Sequence, residues 1–317
     1  MSRSANAKRS NECTKTYALA TLQRGGLANR LFPWARAIVY SESTNSTMLR
    51  TNWSQFKIGP LLRGERDKRG YHSLFCNAPK DLKGVSRLQK LITLRKVSET
   101  ELLGQMHELD TPRIVVFTGL GDYFGSLRGH HALVGRRLWQ ITRPEHKPAE
   151  GVAFPVVLHV RRSDFGENMT PLSWFCSQVE SLRDHGILDD VAVVSDGSET
   201  ELKRLVSMRG VSYVYTGSAI GDLWVASRAC VIIGSSHSTF SAWASYLGQS
   251  VTTYRVGGNL VGLEEANEAF VGASEEDGSP DFLEAAKGSI ETMRRLGPTV
   301  SRTISLNGES PNGVSGS

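Results

Sequence analysis

Six short, largely apolar runs constrain this chain more than any other feature. They are Thr16 to Leu22, Ile114 to Phe117, Pro155 to Val160, Val191 to Val194, Ser212 to Tyr215 and Val231 to Gly234. An apolar run of strand length is what a strand needs when both faces of its sheet are covered. Segments of helical spacing lie between the runs. Leu27, Leu31, Trp34 and Ile38 follow the first strand after Gly25-Gly26, with Asn29 as a predicted N-cap and Pro33 placed in the first turn. Thr170-Pro171 opens a segment through Leu182, and Glu199 to Met208 forms another. Ser279-Pro280 reads as an N-cap and N1 pair ahead of Phe282, Leu283, Ala286, Ile290, Met293 and Leu296. Repeated strand-helix units imply an α/β protein with mostly parallel strands and helices on both faces.

Pro144, Pro148 and the charged residues between Arg143 and Gly151 mark a boundary. The expected organisation is a flexible N-terminus at 1–15, an N-terminal Rossmann-like domain at 16–145, a C-terminal Rossmann-like domain with its final helix at 151–297, and a disordered polar tail at 298–317. Two doubly wound domains facing across a cleft satisfy that pattern.

The 317 residues, 39% of them hydrophobic, can bury a substantial core. Cys13, Cys76, Cys176 and Cys230 form no CxxC pair, so neither a zinc cage nor a disulfide framework is indicated. Met1 to Lys15 carries no apolar signal segment, and no run approaches the roughly 18 apolar residues of a spanning helix. A cytoplasmic protein with free thiols is expected, and the sequons at Asn45, Asn52 and Asn168 are then chance. Charge is polarised: Lys57 to Lys96 holds 11 Lys/Arg against 3 Asp/Glu, whereas Glu264 to Glu291 holds 9 acidic residues against Lys287. The basic stretch suits a solvated face, a nucleotide or anionic acceptor, or a peripheral contact with an anionic membrane surface at its inner face. Without a nucleic-acid module, and with only Phe56, Tyr71 and Phe75 interleaved, nucleic acid is not the expected partner.

Three constellations carry chemistry. His159-Val160-Arg161-Arg162-Ser163-Asp164 ends a buried strand in fixed cations, where open α/β sheets bind phosphorylated ligands; a surface ion-pair cluster is the competing reading. Gly25-Gly26-Leu27-Ala28-Asn29-Arg30 places backbone N–H groups at a helix start, which either cradles a phosphate or only makes a turn. Ser235-Ser236-His237-Ser238-Thr239-Phe240-Ser241 is a second strand-to-helix turn, serving as a phosphate site or as an N-cap cluster. Asp196 ends another strand, where a carboxylate can grip a ribose or base edge.

Taken in order, these elements resemble the α-1,2-fucosyltransferases of glycosyltransferase family 11. Gly25 to Phe32 is similar to the family's GGLGNQLFQYA opening, and His159 to Asp164 to the HxRRxD motif shared with α-1,6- and protein O-fucosyltransferases. Val194-Ser195-Asp196 corresponds to FSDD, and Asp222 through Leu247 to the D-x-x-LMs-x-C and NSSFSWWAAwL block. Gly121-Asp122-Tyr123-Phe124 is similar to the segment closing the N-terminal half. The chain departs from the pattern at Ala28, Arg30, Gly197, His237 and Ala242.

The resemblance implies a GT-B fold and an inverting transfer of fucose from GDP-fucose to a hydroxyl of an oligosaccharide or lipid-linked glycan, with α-1,2 linkage in surface polysaccharide synthesis. It implies Arg161, Asp164 and Glu167 as catalytic residues, with Asp164 or Glu167 as the base and Asp164 alternatively orienting an arginine. Donor contacts would come from Gly26, Asn29, Arg30, His159, Arg161, Arg162, Asp196, Ser238, Thr239 and Phe240. No catalytic metal and no cofactor beyond the donor substrate are expected. A GDP-sugar isomerase or mutase on the same scaffold, and a noncatalytic nucleotide- or glycan-binding protein, are the alternatives.

Overall fold

The computed structural model describes residues 16–54, 70–104, 111–162, 169–187, 190–275 and 278–296. The chain divides into two compact units, one of residues 1–24, 30–53 and 77–121 and the other of residues 25–29, 54–76 and 122–317. Each is built on a parallel sheet, so the α/β class expected from the sequence is observed.

The first unit holds β1 (Tyr17–Ala20), β2 (Thr47–Leu49), β3 (Arg95–Ser98) and β4 (Arg113–Phe117) in the order β2-β1-β4-β3, every neighbouring pair parallel. Tyr17, Leu19, Leu49 and Ile114 form a small core between its strands. Helix α1 (Leu27–Ser43) follows β1, and α2 (Gly84–Thr93) and α3 (Glu99–Gly104) flank β3. Among them Arg36 is 5% exposed; it pairs with Glu99 at 2.9 Å and donates to the carbonyls of Thr118 and Leu120.

The start of α1 corrects the sequence reading. The helix begins at Leu27, so Asn29 lies inside the first turn rather than capping it, and Pro33 is the seventh helical residue. Proline has no N–H, so the Asn29 carbonyl lacks the donor four residues on that a helix interior normally supplies.

The second unit's sheet comprises β5 (Val156–Val160), β6 (Val191–Ser195), β7 (Val211–Tyr213), β8 (Val231–Gly234), β9 (Val251–Arg255) and β10 (Phe270–Ser274). Its order is β10-β9-β8-β5-β6-β7, all parallel. Read from the β7 edge, this is the doubly wound order in which the winding reverses between the first and fourth strands, here β5 and β8. All residues of β5, β6 and β8 are buried. Val156, Leu158 and Val160 face α5 (Leu172–Asp184), α6 (Glu199–Val206) and α9 (Pro280–Leu296), packing with Trp174, Leu202 and Phe282. The alternate residue His159 points to the opposite face, where α8 (Thr239–Gly248) meets it. Helices α4 (His131–Ile141) and α7 (Ala219–Ser227) complete the unit.

Local signals fix the helix starts. Ser198 and Glu201 make a reciprocal capping box on α6, and the Phe282 N–H donates to Ser279 Oγ at 3.3 Å ahead of Pro280. Strands β2, β3, β9 and β10 were not legible in the sequence. The Thr252 and Thr253 hydroxyls read as groups that face water, yet both residues are fully buried, and the hydroxyls donate to Ser245 Oγ and the Gly272 carbonyl. In β3 only Val97 is buried, so its composition is that of an edge.

Candidate functional site

The reversal between β5 and β8 leaves a crevice beyond the carboxyl ends of the strands, which is where doubly wound sheets place their ligands. A cavity of about 330 Å³ lies there, walled by the ends of β5, β6 and β7 and by the loop and helix starts that face them. Every described residue lining it belongs to the second unit, Gly26 to Asn29 included.

The tip of β5 is clamped from both sides. Ser235, just past β8, accepts the Arg161 N–H at 2.8 Å and donates to the His159 carbonyl at 2.9 Å. On the β6 side, Asp196 Oδ1 accepts the Arg162 N–H at 2.7 Å. The two arginines then part company, as successive residues of an extended chain do. Arg161 lines the cavity. Arg162 does not: its Nη1 donates to the Thr170 carbonyl at 3.3 Å, and its stem lies so close to Gly197 that a Cβ there would sit 2.6 Å from Arg162 Cγ. Gly197 stands where the resembling family has a second Asp, and only a residue without a side chain admits this path.

His159 is 5% exposed and shares a 2.7 Å hydrogen bond between Nδ1 and Ser241 Oγ. Its ring stacks on Phe240 at 4.5 Å between centroids. Burial, reinforced by the Arg161 charge, pushes its pKa down to about 3, so the imidazole is neutral at physiological pH. Gly234 makes this pairing sterically possible: a Cβ on it would lie 2.8 Å from Ser241 Cβ.

Three helices begin at the cavity wall. Leu27 and Ala28 open α1, Ala219 opens α7, and Thr239 and Phe240 open α8. Their N-terminal N–H groups and dipoles add positive potential to that of Arg161. Asn29 Oδ1 accepts the Thr239 hydroxyl at 2.8 Å, joining two of these helix starts across 210 residues of sequence. The α7 start is held by Asp222, 8% exposed, whose Oδ1 accepts both the N–H of Thr216 at 3.1 Å and its hydroxyl at 2.7 Å. Between them Gly217 takes φ 83°, a left-handed turn that favours glycine. Among the described residues, the result is a preorganised cavity with one guanidinium, three helix N-termini, and the carboxylates Asp196 and Asp222 each engaged by the protein. Such a site suits a phosphorylated ligand.

Of the residues expected at the site, Gly26, Asn29, His159, Arg161, Asp196, Thr239 and Phe240 meet in this wall. Arg30 is outside it: the side chain is fully buried in the first unit, with Nη1 donating to the Trp53 carbonyl at 3.3 Å. One residue along a helix is a rotation of about 100°, so Asn29 and Arg30 cannot face the same way. Ser238 is outside as well, because it caps α8, its Oγ accepting the Ser241 N–H at 3.4 Å. Asp164 and Glu167 lie outside the described residues. The cavity adds Tyr215, Ser218 and Asp222, which the sequence reading did not single out for the site. Asp222 carried a signal, being the only charge in the otherwise apolar helix Ala219–Ser227. Among the described residues no group of three or more His, Cys, Asp or Glu is placed to hold a metal ion.

No family model matches the chain, and a comparison with curated proteins finds no significant match. Solved structures that align with it include an arginine-to-lysine variant of FUT1 from Arabidopsis thaliana in complex with GDP, at 14% identity over 77% of this chain and 71% of that chain with a TM-score of 0.49. The fucosyltransferase NodZ from Bradyrhizobium aligns at 14% identity over 74% of this chain and 93% of that chain, TM-score 0.48. POFUT1 in complex with GDP aligns at 12% identity over 77% and 98% respectively, TM-score 0.44.

Proposed function

We propose that the chain is an inverting glycosyltransferase that moves fucose from GDP-fucose to a glycan hydroxyl, forming an α-1,2 linkage in surface polysaccharide synthesis in the cytoplasm. The observation that supports this reading is the convergence of Arg161 with the starts of α1, α7 and α8 on one cavity at the β5/β8 reversal. The motifs that resemble fucosyltransferases supply most of its wall.

In a single displacement, an acceptor oxygen attacks the anomeric carbon as the bond to the β-phosphate breaks, and GDP leaves with the bonding pair. Negative charge grows on that phosphate in the transition state. A guanidinium carried on a strand tip whose backbone is held from both sides, and helix dipoles already aimed at the site, stabilise it without reorganising. Asn29 and Thr239 add hydrogen bonds, and Asp196 takes the ribose or base edge. His159 contributes a neutral, stacked wall rather than charge. The acceptor proton goes to a carboxylate, for which Asp164 and Glu167, just beyond the arginines, are the candidates.

Incubation with a panel of nucleotide sugars and glycan acceptors, read by mass spectrometry, tests this. Transfer of fucose from GDP-fucose with release of GDP is the expected result. A rearranged GDP-sugar without acceptor, or binding with no turnover across the panel, refutes it.

A further inference from the structure

Helix α2 (Gly84–Thr93) is turned the wrong way round for a helix in water. It meets its unit through a mixed flank: the Arg87 Nε donates to the Arg50 carbonyl at 3.0 Å, Lys90 Nζ lies 5.5 Å from the Tyr17 ring centre, and Leu91 packs against the small core. None of its residues is buried. Val85, Leu88 and Ile92, at 84%, 56% and 75% exposure, stand on one arc of the opposite side, since positions three, four and seven apart share a helix face. A surface helix ordinarily turns such an arc inward.

Charge in the segments that flank the helix is one-sided. Lys80 and Lys83 precede the helix and Arg95 and Lys96 follow it, all exposed, and Asp81 is the single carboxylate between residues 80 and 96. Three large apolar side chains framed by cations match an interface that is anionic at its surface and apolar beneath. We propose that α2 docks the protein on an anionic lipid bilayer, lying in the interface plane with Val85, Leu88 and Ile92 among the acyl chains and the four flanking cations at the headgroups. Ten residues are too few to span, and no described helix is long and apolar enough to cross a membrane. The inference does not depend on the transfer chemistry, and its test reads binding alone.

The full chain is mixed with vesicles of phosphatidylcholine, with or without about one third phosphatidylglycerol, and sedimented. Binding to the anionic vesicles, weak binding to the neutral ones, and loss of binding as salt rises are expected. A Leu88→Trp variant should show a blue-shifted emission on the anionic vesicles. A Leu88→Glu/Ile92→Glu variant should bind about tenfold or more weakly while its circular dichroism and thermal melt stay unchanged, because both positions are exposed. No binding of the wild type to anionic vesicles, or full binding by the double variant, overturns the proposal. So does a wild-type dimer in light scattering that the double variant dissociates, which would make the face a contact between copies.

Discussion

Acidification should destabilise this protein through His159 specifically. In the unfolded chain the imidazole titrates near its ordinary value of 6.5, whereas in the fold burial and Arg161 hold it at about 3. Between those values the unfolded chain binds a proton that the folded one refuses, so stability falls as pH falls. The effect is absent above about pH 7, reaches about 2 kcal/mol near pH 5, and approaches a limit of about 5 kcal/mol near pH 3. Carboxylates also protonate in this range, and burial lowers the pKa of His131 as well. A comparison with His159→Asn isolates the one group, because those terms persist in both proteins and Asn retains a polar atom near the position of Nδ1. Urea unfolding of both proteins at about pH 8 and about pH 5 should give a loss larger by about 2 kcal/mol in the wild type. Parallel profiles would refute the reasoning, as would a His159 resonance in the folded protein titrating near 6.5. A neutral His159 also predicts that GDP affinity shows no step from this group between about pH 6 and pH 8.

Other predictions address the cavity. Arg161→Lys should keep the fold yet lower turnover or GDP affinity by about an order of magnitude or more, whereas Arg162→Lys should act on stability through the Thr170 contact; equal effects of both on GDP binding contradict the geometry. Gly234→Ala drives a Cβ into Ser241 and should cost about 1–3 kcal/mol in denaturant unfolding; a stabilised variant with wild-type GDP affinity rules that out. A double-mutant cycle with Asn29→Ala and Thr239→Val should give a coupling of about 1 kcal/mol in unfolding, and a coupling near zero would mean the 2.8 Å bond contributes nothing. Turnover should survive EDTA; its loss and recovery with magnesium or manganese would show that the arginine and helix dipoles are not sufficient.

The sequence by itself determined the parallel α/β class and several helix ends, because those signals are local. A run such as Val156 to Val160 is apolar wherever its neighbours lie, and Ser279 with Pro280 opens a helix within one turn. It also placed cationic residues at the end of β5. Only the tertiary structure decided which arginine serves the cavity. Alternation along an extended chain separates Arg161 from Arg162, but which side is the cavity depends on where α7 and α8 pack against the sheet. The same holds for Asn29 and Thr239, which meet only once the chain has folded, and for the strand order that reverses between β5 and β8. The buried threonines of β9 hid that strand because their hydroxyls find partners, Ser245, the Ser250 carbonyl and the Gly272 carbonyl, only where helix and sheet pack around them. The outward arc of α2 shows the same limit: its helical periodicity is written in the residues, but which face turns to water is settled by the packing around it.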